Sequence, residues 1–211
     1  MSGILREISE NLQMGKAKVV AEMVQQALDE GLRPQAILDE GLLAGMGVIG
    51  EKFKTNEVFV PEVLVAARAM NRGVEVLKPH LAADGVKARG KAVIGTVKGD
   101  LHDIGKNLVK MMLEGKGLEV VDLGVDVSAE KFLSAARETG ATIICCSALL
   151  TTTMGEMKNV VDMVKSSDLK DKLTVMIGGA PVTQTFCDQI GADCYTQDAA
   201  SAADAAIGFV S

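Results

Sequence analysis

No tryptophan occurs in the 211 residues, and one tyrosine and five phenylalanines hold the aromatic content to 3%. A chain so poor in rings offers no stacking platform for bases, and a net charge of −6 supplies no basic patch to displace phosphate counterions. Nucleic acid is thereby excluded as a partner. The four cysteines are Cys145, Cys146, Cys187 and Cys194, and no two of them have the C-x-x-C spacing of a zinc site or a dithiol couple. They read as reduced core residues. No continuous apolar run approaches the ~20 residues a membrane helix needs. The opening "MSGILREISENLQMGKAKVV" carries polar residues at helical spacing where a signal peptide would carry an apolar stretch. The expectation is a cytoplasmic protein without membrane attachment.

What is present is ample apolar content, 48% of residues, enough to bury a core without disulfide support. The pattern of that content changes near residue 85. Before it, apolar residues recur at helical spacing: Val20, Met23, Val24 and Ala27; Leu38, Leu42, Met46, Ile49 and Phe53; then Val60, Val63, Leu64, Ala67, Met70, Val74 and Leu77. Gly31 followed by Pro34 marks a helix end and a start, and Pro61 marks another start. About four short helices follow, none able to hide its stripe alone, so residues 1–85 are expected to form a small bundle. The small and charged segment 82–91, "AADGVKARGK", reads as a linker.

Beyond it, short β-branched runs alternate with helical stretches. Strands are expected at 92–97, 118–124, 141–148, 173–179 and 192–196. Residues 86–211 should then build a doubly wound parallel sheet of five strands, with helices on both faces. In such sheets ligands sit beyond the carboxyl ends of the strands, where the strand order reverses. The unusual turns, 98–105, 147–153 and 178–182, all fall at those ends.

The first of these turns, "TVKGDLHDIGKN", contains His102, one of only two histidines. A histidine in such a turn often does no more than cap a helix. Here Asp100 lies two residues before it, a spacing that lets a carboxylate take the proton of one ring nitrogen and leave the other as a defined lone pair. Gly99 and Gly105 clear side chains from both flanks, as a loop must when a large planar group approaches its backbone. One imidazole is a poor zinc site, since zinc needs three or four protein ligands, but a good axial ligand for a metal already held by a macrocycle. Asp103 reads as a helix cap. The turn lacks both the lysine–serine pair of a P-loop and G-x-G-x-x-G spacing, so nucleotide hydrolysis is not expected.

At this point the residues resemble the corrinoid proteins that carry methyl groups, related to the cobalamin module of methionine synthase. Asp100-Leu101-His102-Asp103-Ile104-Gly105 matches their D-x-H-x-x-G signature, Ser147-Ala148-Leu149 matches S-x-L, and Gly178-Gly179 supplies the glycine pair. "GEKFKTNEVFVPEVLVAARAM" is similar to the helix–loop–helix of the bundle that caps the cofactor in methylating members. The resemblance spans nearly the whole chain. It implies an N-terminal four-helix bundle cap followed by a Rossmann-like, flavodoxin-like domain.

It also implies a cofactor, cobalamin or another cobamide, bound base-off and histidine-on, with His102 as the lower axial ligand to cobalt. Asp100 would bond the far nitrogen of the imidazole, and Thr153 would stand where the family has a serine in the same proton relay. Gly99, Gly105 and Leu149 would meet the cofactor, Ser147 and Thr151 would bond its displaced nucleotide tail, and Gly178 and Gly179 would let that tail thread against bare backbone. Ala199 belongs to the turn that closes over it. Phe53 and Val60 match apolar residues that shield the methyl ligand, Val60 replacing a leucine. Taken singly, the hydroxyls could be strand-end caps, the glycines a tight turn, and Phe53 and Val60 core.

The function implied is a methyl carrier that alternates between a cob(I)amide and a methylcob(III)amide. Its partners would be a substrate-specific methyltransferase, an acceptor methyltransferase using tetrahydrofolate or a thiol, and a reductive activating protein. The chain shows no substrate site of its own, so it is not expected to turn over alone. A mutase subunit would share the lower domain but not the bundle. A cobalamin-binding sensor would be expected to carry a basic recognition helix, and residues 1–85 have none.

Overall fold

The computed structural model describes residues 3–85 and 87–210. It divides into two compact units, one running to Ala88 together with Gly115–Gly117, the other comprising Arg89–Glu114 and the chain from Leu118 onward.

The first unit is helical. It contains α1 (Gly3–Gln13), α2 (Ala17–Asp29), α3 (Pro34–Ala36), a π-helical stretch (Ile37–Leu43), α4 (Ala44–Lys54) and α5 (Val60–Ala83). Ile37 and Ala44 keep right-handed helical dihedrals, so 34–54 is one uninterrupted rod, and the described residues of the unit form four rods. Pro34 starts that rod, where a missing N–H costs nothing. Each rod buries a stripe: Leu5, Ile8 and Leu12; Val20, Val24 and Ala27; Met46 and Ile49; Val63, Ala67, Met70 and Leu77. Two expectations shift. The π-helical stretch admits one extra residue into the turn, so Ile37, Gly41, Leu42 and Leu43 go inside while Leu38 is only half-buried. In α5, Leu64 is exposed, and the buried face runs through Ala66, Ala69 and Gly73. The α4–α5 turn ends where the Glu62 carboxylate accepts the Phe59 N–H at 2.9 Å, satisfying a helix-end donor.

The second unit is a five-stranded parallel sheet of β1 (Gly90–Thr96), β2 (Leu118–Asp122), β3 (Ile143–Ser147), β4 (Thr174–Gly178) and β5 (Cys194–Tyr195), in the order β2-β1-β3-β4-β5. The helices α6 (Ile104–Gly115), α7 (Ala129–Thr139), α8 (Met154–Lys165), α9 (Gln184–Ile190) and α10 (Ala199–Val210) connect and follow the strands. Near-continuous apolar strands such as Ile143–Cys146 are buried throughout, as a sheet covered on both faces requires. Ser128 caps α7 and Thr183 caps α9, each hydroxyl accepting a first-turn N–H. The expected linker is shorter than 82–91: Ala82 and Ala83 belong to α5, Gly90 and Lys91 to β1, and Val86 lies outside the described residues. The last strand shrinks to two residues. No helix among the described residues is long and apolar enough to cross a membrane.

The strand order fixes where a ligand can sit. From β1 the chain winds first toward β2 and later toward β3 on the other side, so the loops leaving the carboxyl ends of β1 and β3 diverge and open a crevice between them. Residues 98–103 and 148–153 are those two loops.

Candidate functional site

Asp100 is fully buried at the end of β1, where an unpaired carboxylate would be costly. Its two oxygens gather partners from both loops. Oδ1 accepts from His102 Nδ1 at 2.7 Å and from the His102 backbone N–H at 3.1 Å. Oδ2 accepts from the N–H groups of Leu149 and Leu150 at 2.8 and 3.2 Å, and lies 3.0 Å from Thr153 Oγ1. The single Thr153 proton has a second acceptor in the Leu150 carbonyl at 2.9 Å. Burial alone would raise the Asp100 pKa, but the bonds from His102, Leu149 and Thr153 outweigh it and hold the carboxyl well below the usual carboxylate range.

An ionised carboxylate can only accept, so His102 Nδ1 carries a proton, and in the neutral imidazole that leaves the lone pair on Nε2. The ring is about half exposed, with 52% of its side-chain surface open. The same two loops carry apolar side chains that a folded surface rarely leaves open: Leu101 is 72% exposed, Ile104 at the start of α6 76%, Leu149 44% and Leu150 40%. Gly105 has open space where a Cβ would stand, and Gly99 has φ +80°, a conformation favouring glycine. Among the described residues no group of three or more His, Cys, Asp or Glu could hold a metal ion. This donor set fits a flat, largely apolar group that brings its own metal and lacks one axial ligand.

The neighbouring strand ends carry the other expected residues. Ser147 ends β3 and pairs in register with Gly178 at the end of β4. Gly179 has φ +132°, and a Cβ there would stand 1.9 Å from the Ala148 carbonyl oxygen, so only glycine lets the β3 and β4 loops approach this closely. Thr151 is exposed in the β3 turn, and Ala199 is buried at the start of α10. Phe53 and Val60 belong to the helical unit, half-buried at the end of α4 and the start of α5. Asp103 directly precedes α6, its carbonyl accepting the Asn107 N–H and its carboxylate the Asn107 Nδ2 at 3.1 Å. The cysteines are free thiols, and burial pushes the Cys145 thiol up to about 12.

Several supporting residues gave no signal in the sequence. Buried Thr96 donates its hydroxyl to the His102 carbonyl at 2.8 Å. Buried Lys106 donates to both oxygens of Asp122 at 2.7 and 2.8 Å, fastening the first turn of α6 to the end of β2. Burial of Asp122 would raise its pKa, but the bonds from Lys106 and the Gly124 N–H prevail and lower it. The Lys106–Asp122 pairing joins residues 16 apart in the chain, and the Thr96 bond ties the start of the histidine loop to its middle.

Fold and site together define a doubly wound domain that presents a carboxylate-backed imidazole at its switch point, preceded by a helical unit. Comparison with known proteins gives this class its family. The B12 binding domain family matches residues 90–207, and a second B12 binding domain family matches residues 4–78. A corrinoid protein of Desulfitobacterium hafniense is 41% identical over 96% of this chain and 95% of its own. A dimethylamine corrinoid protein of Methanosarcina acetivorans is 42% identical over 96% of this chain and 94% of its own. Among solved structures, a chain of the methanol:cobalamin methyltransferase complex of Methanosarcina barkeri superposes with a TM-score of 0.89 at 34% identity, covering 100% of this chain and 80% of that one. The chain belongs to the family of corrinoid proteins built on B12 binding domains.

Proposed function

We propose that this protein carries methyl groups on a bound cobamide between two partner enzymes. The observation that carries the reading is the buried Asp100 carboxylate, which holds the proton on His102 Nδ1 and leaves Nε2 on a half-exposed ring beside exposed apolar residues. When bound, the cofactor supplies a cobalt centre that takes up a methyl group in its +1 state and yields it to a second nucleophile. The chain's own residues hold and orient it. His102 Nε2 takes the place of the cofactor's own base, so binding is base-off and histidine-on. Asp100 keeps the ring oriented, and Thr153, its hydroxyl on Oδ2, would relay a proton between solvent and the Asp100–His102 pair, passing one on for each it receives, as the histidine engages or releases. Leu149, Gly99 and Gly105 meet the macrocycle, Ser147 and Thr151 bond the displaced tail, Gly178 and Gly179 give it bare backbone, and Ala199 closes the turn. For the helical unit the reading rests on the family resemblance: Phe53 and Val60 keep water and oxygen from the methyl group.

The relatives named for dimethylamine, and the complex named for methanol, support a substrate-specific methyltransferase as the first partner. The second would be an acceptor methyltransferase using tetrahydrofolate or a thiol, and a reductive activating protein would rescue oxidised cobalt. The reconstituted protein, labelled with nitrogen-15 histidine and reduced to cobalt(II), should show electron paramagnetic resonance coupling that changes with the label and disappears in His102→Ala. Coupling indifferent to the label would overturn the axial assignment. Methylation of the cobalt(I) protein should be slow and non-saturating with free donors and rise by orders of magnitude with the cognate methyltransferase. Fast saturable methylation of the isolated protein would replace the carrier by a complete enzyme.

A further inference from the structure

We infer that Asp126 is the positioning residue that holds the histidine loop in its ligating conformation, an inference that rests on reading His102 as the metal ligand. Asp126 stands in the turn after β2, 26 residues beyond Asp100, and grips the histidine loop twice. Its Oδ1 accepts the Gly99 N–H at 2.7 Å, and its own N–H donates to the Asp100 carbonyl at 3.0 Å. The Asp100 N–H donates in turn to the Val97 carbonyl at 3.1 Å. Peptide groups on both sides of Asp100 are therefore fixed, and with them the direction of its Cβ. That direction decides whether the carboxylate reaches His102 with one oxygen and the β3 loop with the other.

Asp126 is itself held in an uncommon conformation. Its φ is +53°, and Asn56 is the other non-glycine residue with positive φ among the described residues. Such a backbone persists only where its surroundings over-determine it, and it clusters at functional sites. The surroundings do so here: the Thr96 N–H donates to the Gly124 carbonyl at 3.0 Å, the Val127 N–H donates to the Thr96 carbonyl at 3.0 Å, and Val97 and Val127 form a parallel bridge. Lys106, through Asp122, holds the start of the same turn, because Asp122 Oδ1 also accepts the Gly124 N–H at 3.0 Å. The turn after β2 is thus a brace anchored on β1, and Asp126 is the part of it that touches the histidine loop. Thr96, on the His102 carbonyl, pins the loop from the other end, but it is buried in the strand core. Asp126 is exposed, so its carboxylate can be removed without opening the core.

The test uses the full-length protein before it is loaded with cofactor, labelled with nitrogen-15 histidine. Only His80 and His102 contribute signals. Asp126→Gly keeps the positive φ and deletes the acceptor, while Asp126→Asn keeps both an acceptor and a residue tolerant of that φ. In wild type held at a pH well above the ordinary imidazole value of about 6.5, where the ring is neutral, the two His102 nitrogens should resonate far apart, as a single Nδ1–H tautomer requires, and the Gly99 amide should exchange slowly. In Asp126→Gly the two nitrogen signals should move toward each other as tautomers mix, and Gly99 exchange should quicken about ten- to a hundredfold, the effect of losing one hydrogen bond to a charged acceptor. Asp126→Asn should restore most of both, and His80 should not move. Unchanged His102 signals and Gly99 exchange in a folded Asp126→Gly protein would overturn the inference, as would an Asn variant as damaged as the Gly variant. Should Asp126→Gly fail to fold, the other two proteins decide: a Gly99 amide that exchanges fast in the wild type or in Asp126→Asn overturns the brace, and one protected in both supports it. Because no cobalt is present, a result here is separate from the fate of the axial assignment, which the paramagnetic coupling of the loaded protein tests.

Discussion

The helical unit and the sheet unit bury different chemistry. Among the described residues the buried side chains of the helical unit are all apolar, with glycine where rods approach closely, as at Gly41, Gly45 and Gly73. The buried polar and charged residues, Thr96, Asp100, Lys106 and Thr153, all belong to the sheet unit, and all lie within the β1 end, the start of α6 or the β3 loop. Apolar burial is non-directional and tolerates exchange of one side chain for another of similar volume. A buried carboxylate is tolerated only when every lone pair is answered, which freezes the groups that answer it. Two loops far apart in sequence are fastened to each other in this protein because one acid between them must be satisfied.

The sharpest way to break that comparison is to remove the acid. Asp100→Leu leaves the Leu149 and Leu150 N–H groups without their acceptor and frees His102, so the sheet unit should lose about 3 kcal/mol or more. Tyr195, the only tyrosine, lies in β5, and with no tryptophan present its fluorescence follows the unfolding of the sheet unit in urea. Asp100→Asn should cost less, since the shape and part of the acceptor capacity remain. The two variants also separate by pH. Because the Asp100 pKa is lowered in the folded state, its contribution is fully present above the ordinary aspartate value of about 3.9 and is lost as pH falls below that toward the folded-state pKa. The wild type should therefore weaken more steeply than Asp100→Asn on acidification below about pH 4. An unmoved Tyr195 transition in Asp100→Leu would mean that the buried acid does not organise this unit.

How far the sequence alone reaches follows the same division. Strand positions, the βα alternation and the His102 turn were legible because they are written in short windows: β-branched runs, glycines at the strand ends, and a histidine two residues from an acid. The family motifs then joined the β1, β3 and β4 turns. What was not legible is long-range and polar. Nothing local to Asp126 or the Lys106–Asp122 pair announces a partner, since their hydrogen bonds depend on which strand lies beside which, and the Thr96 bond to the His102 carbonyl depends on how the β1 loop folds back on itself. In the helical unit the failure was of phase: the π-helical stretch inserts a residue, and the stripe read through Leu38 is displaced to Ile37.

A second substitution sharpens the comparison from the other side. A Cβ on Gly73 would come within 2.8 Å of a Leu42 methyl and 3.2 Å of a Val20 methyl, so Gly73→Val overpacks the contact of α5 with its neighbours. Side-chain ends can give a little, and the expected cost is about 1–3 kcal/mol. Far-ultraviolet circular dichroism should show an earlier helical transition in urea. The His102 nitrogen signals should stay where they are, because every hydrogen bond that sets that ring lies within the sheet unit. A shift of those signals would show that the site's geometry depends on helical packing as well.

The smallest effect is expected at Leu64, and it tests whether apolar residues matter in the helical unit by identity or by placement. Leu64 falls on the sequence's helical stripe beside Val63, yet an α-helix turns about 100° per residue. With Val63, Ala67 and Met70 at the centre of the buried face, Leu64 lands at its edge and remains 42% exposed, whereas Val63 is fully covered. Leu64→Gln keeps a straight-chain residue of good helix propensity and removes only partly buried apolar surface. Stability should change by no more than about 0.5 kcal/mol in either direction. The same change at Val63 should cost several times as much, because a glutamine amide would enter the core without a hydrogen-bonding partner. Equal costs at the two positions would mean that the stripe read from the sequence, and not the face seen in the fold, is the one the unit depends on.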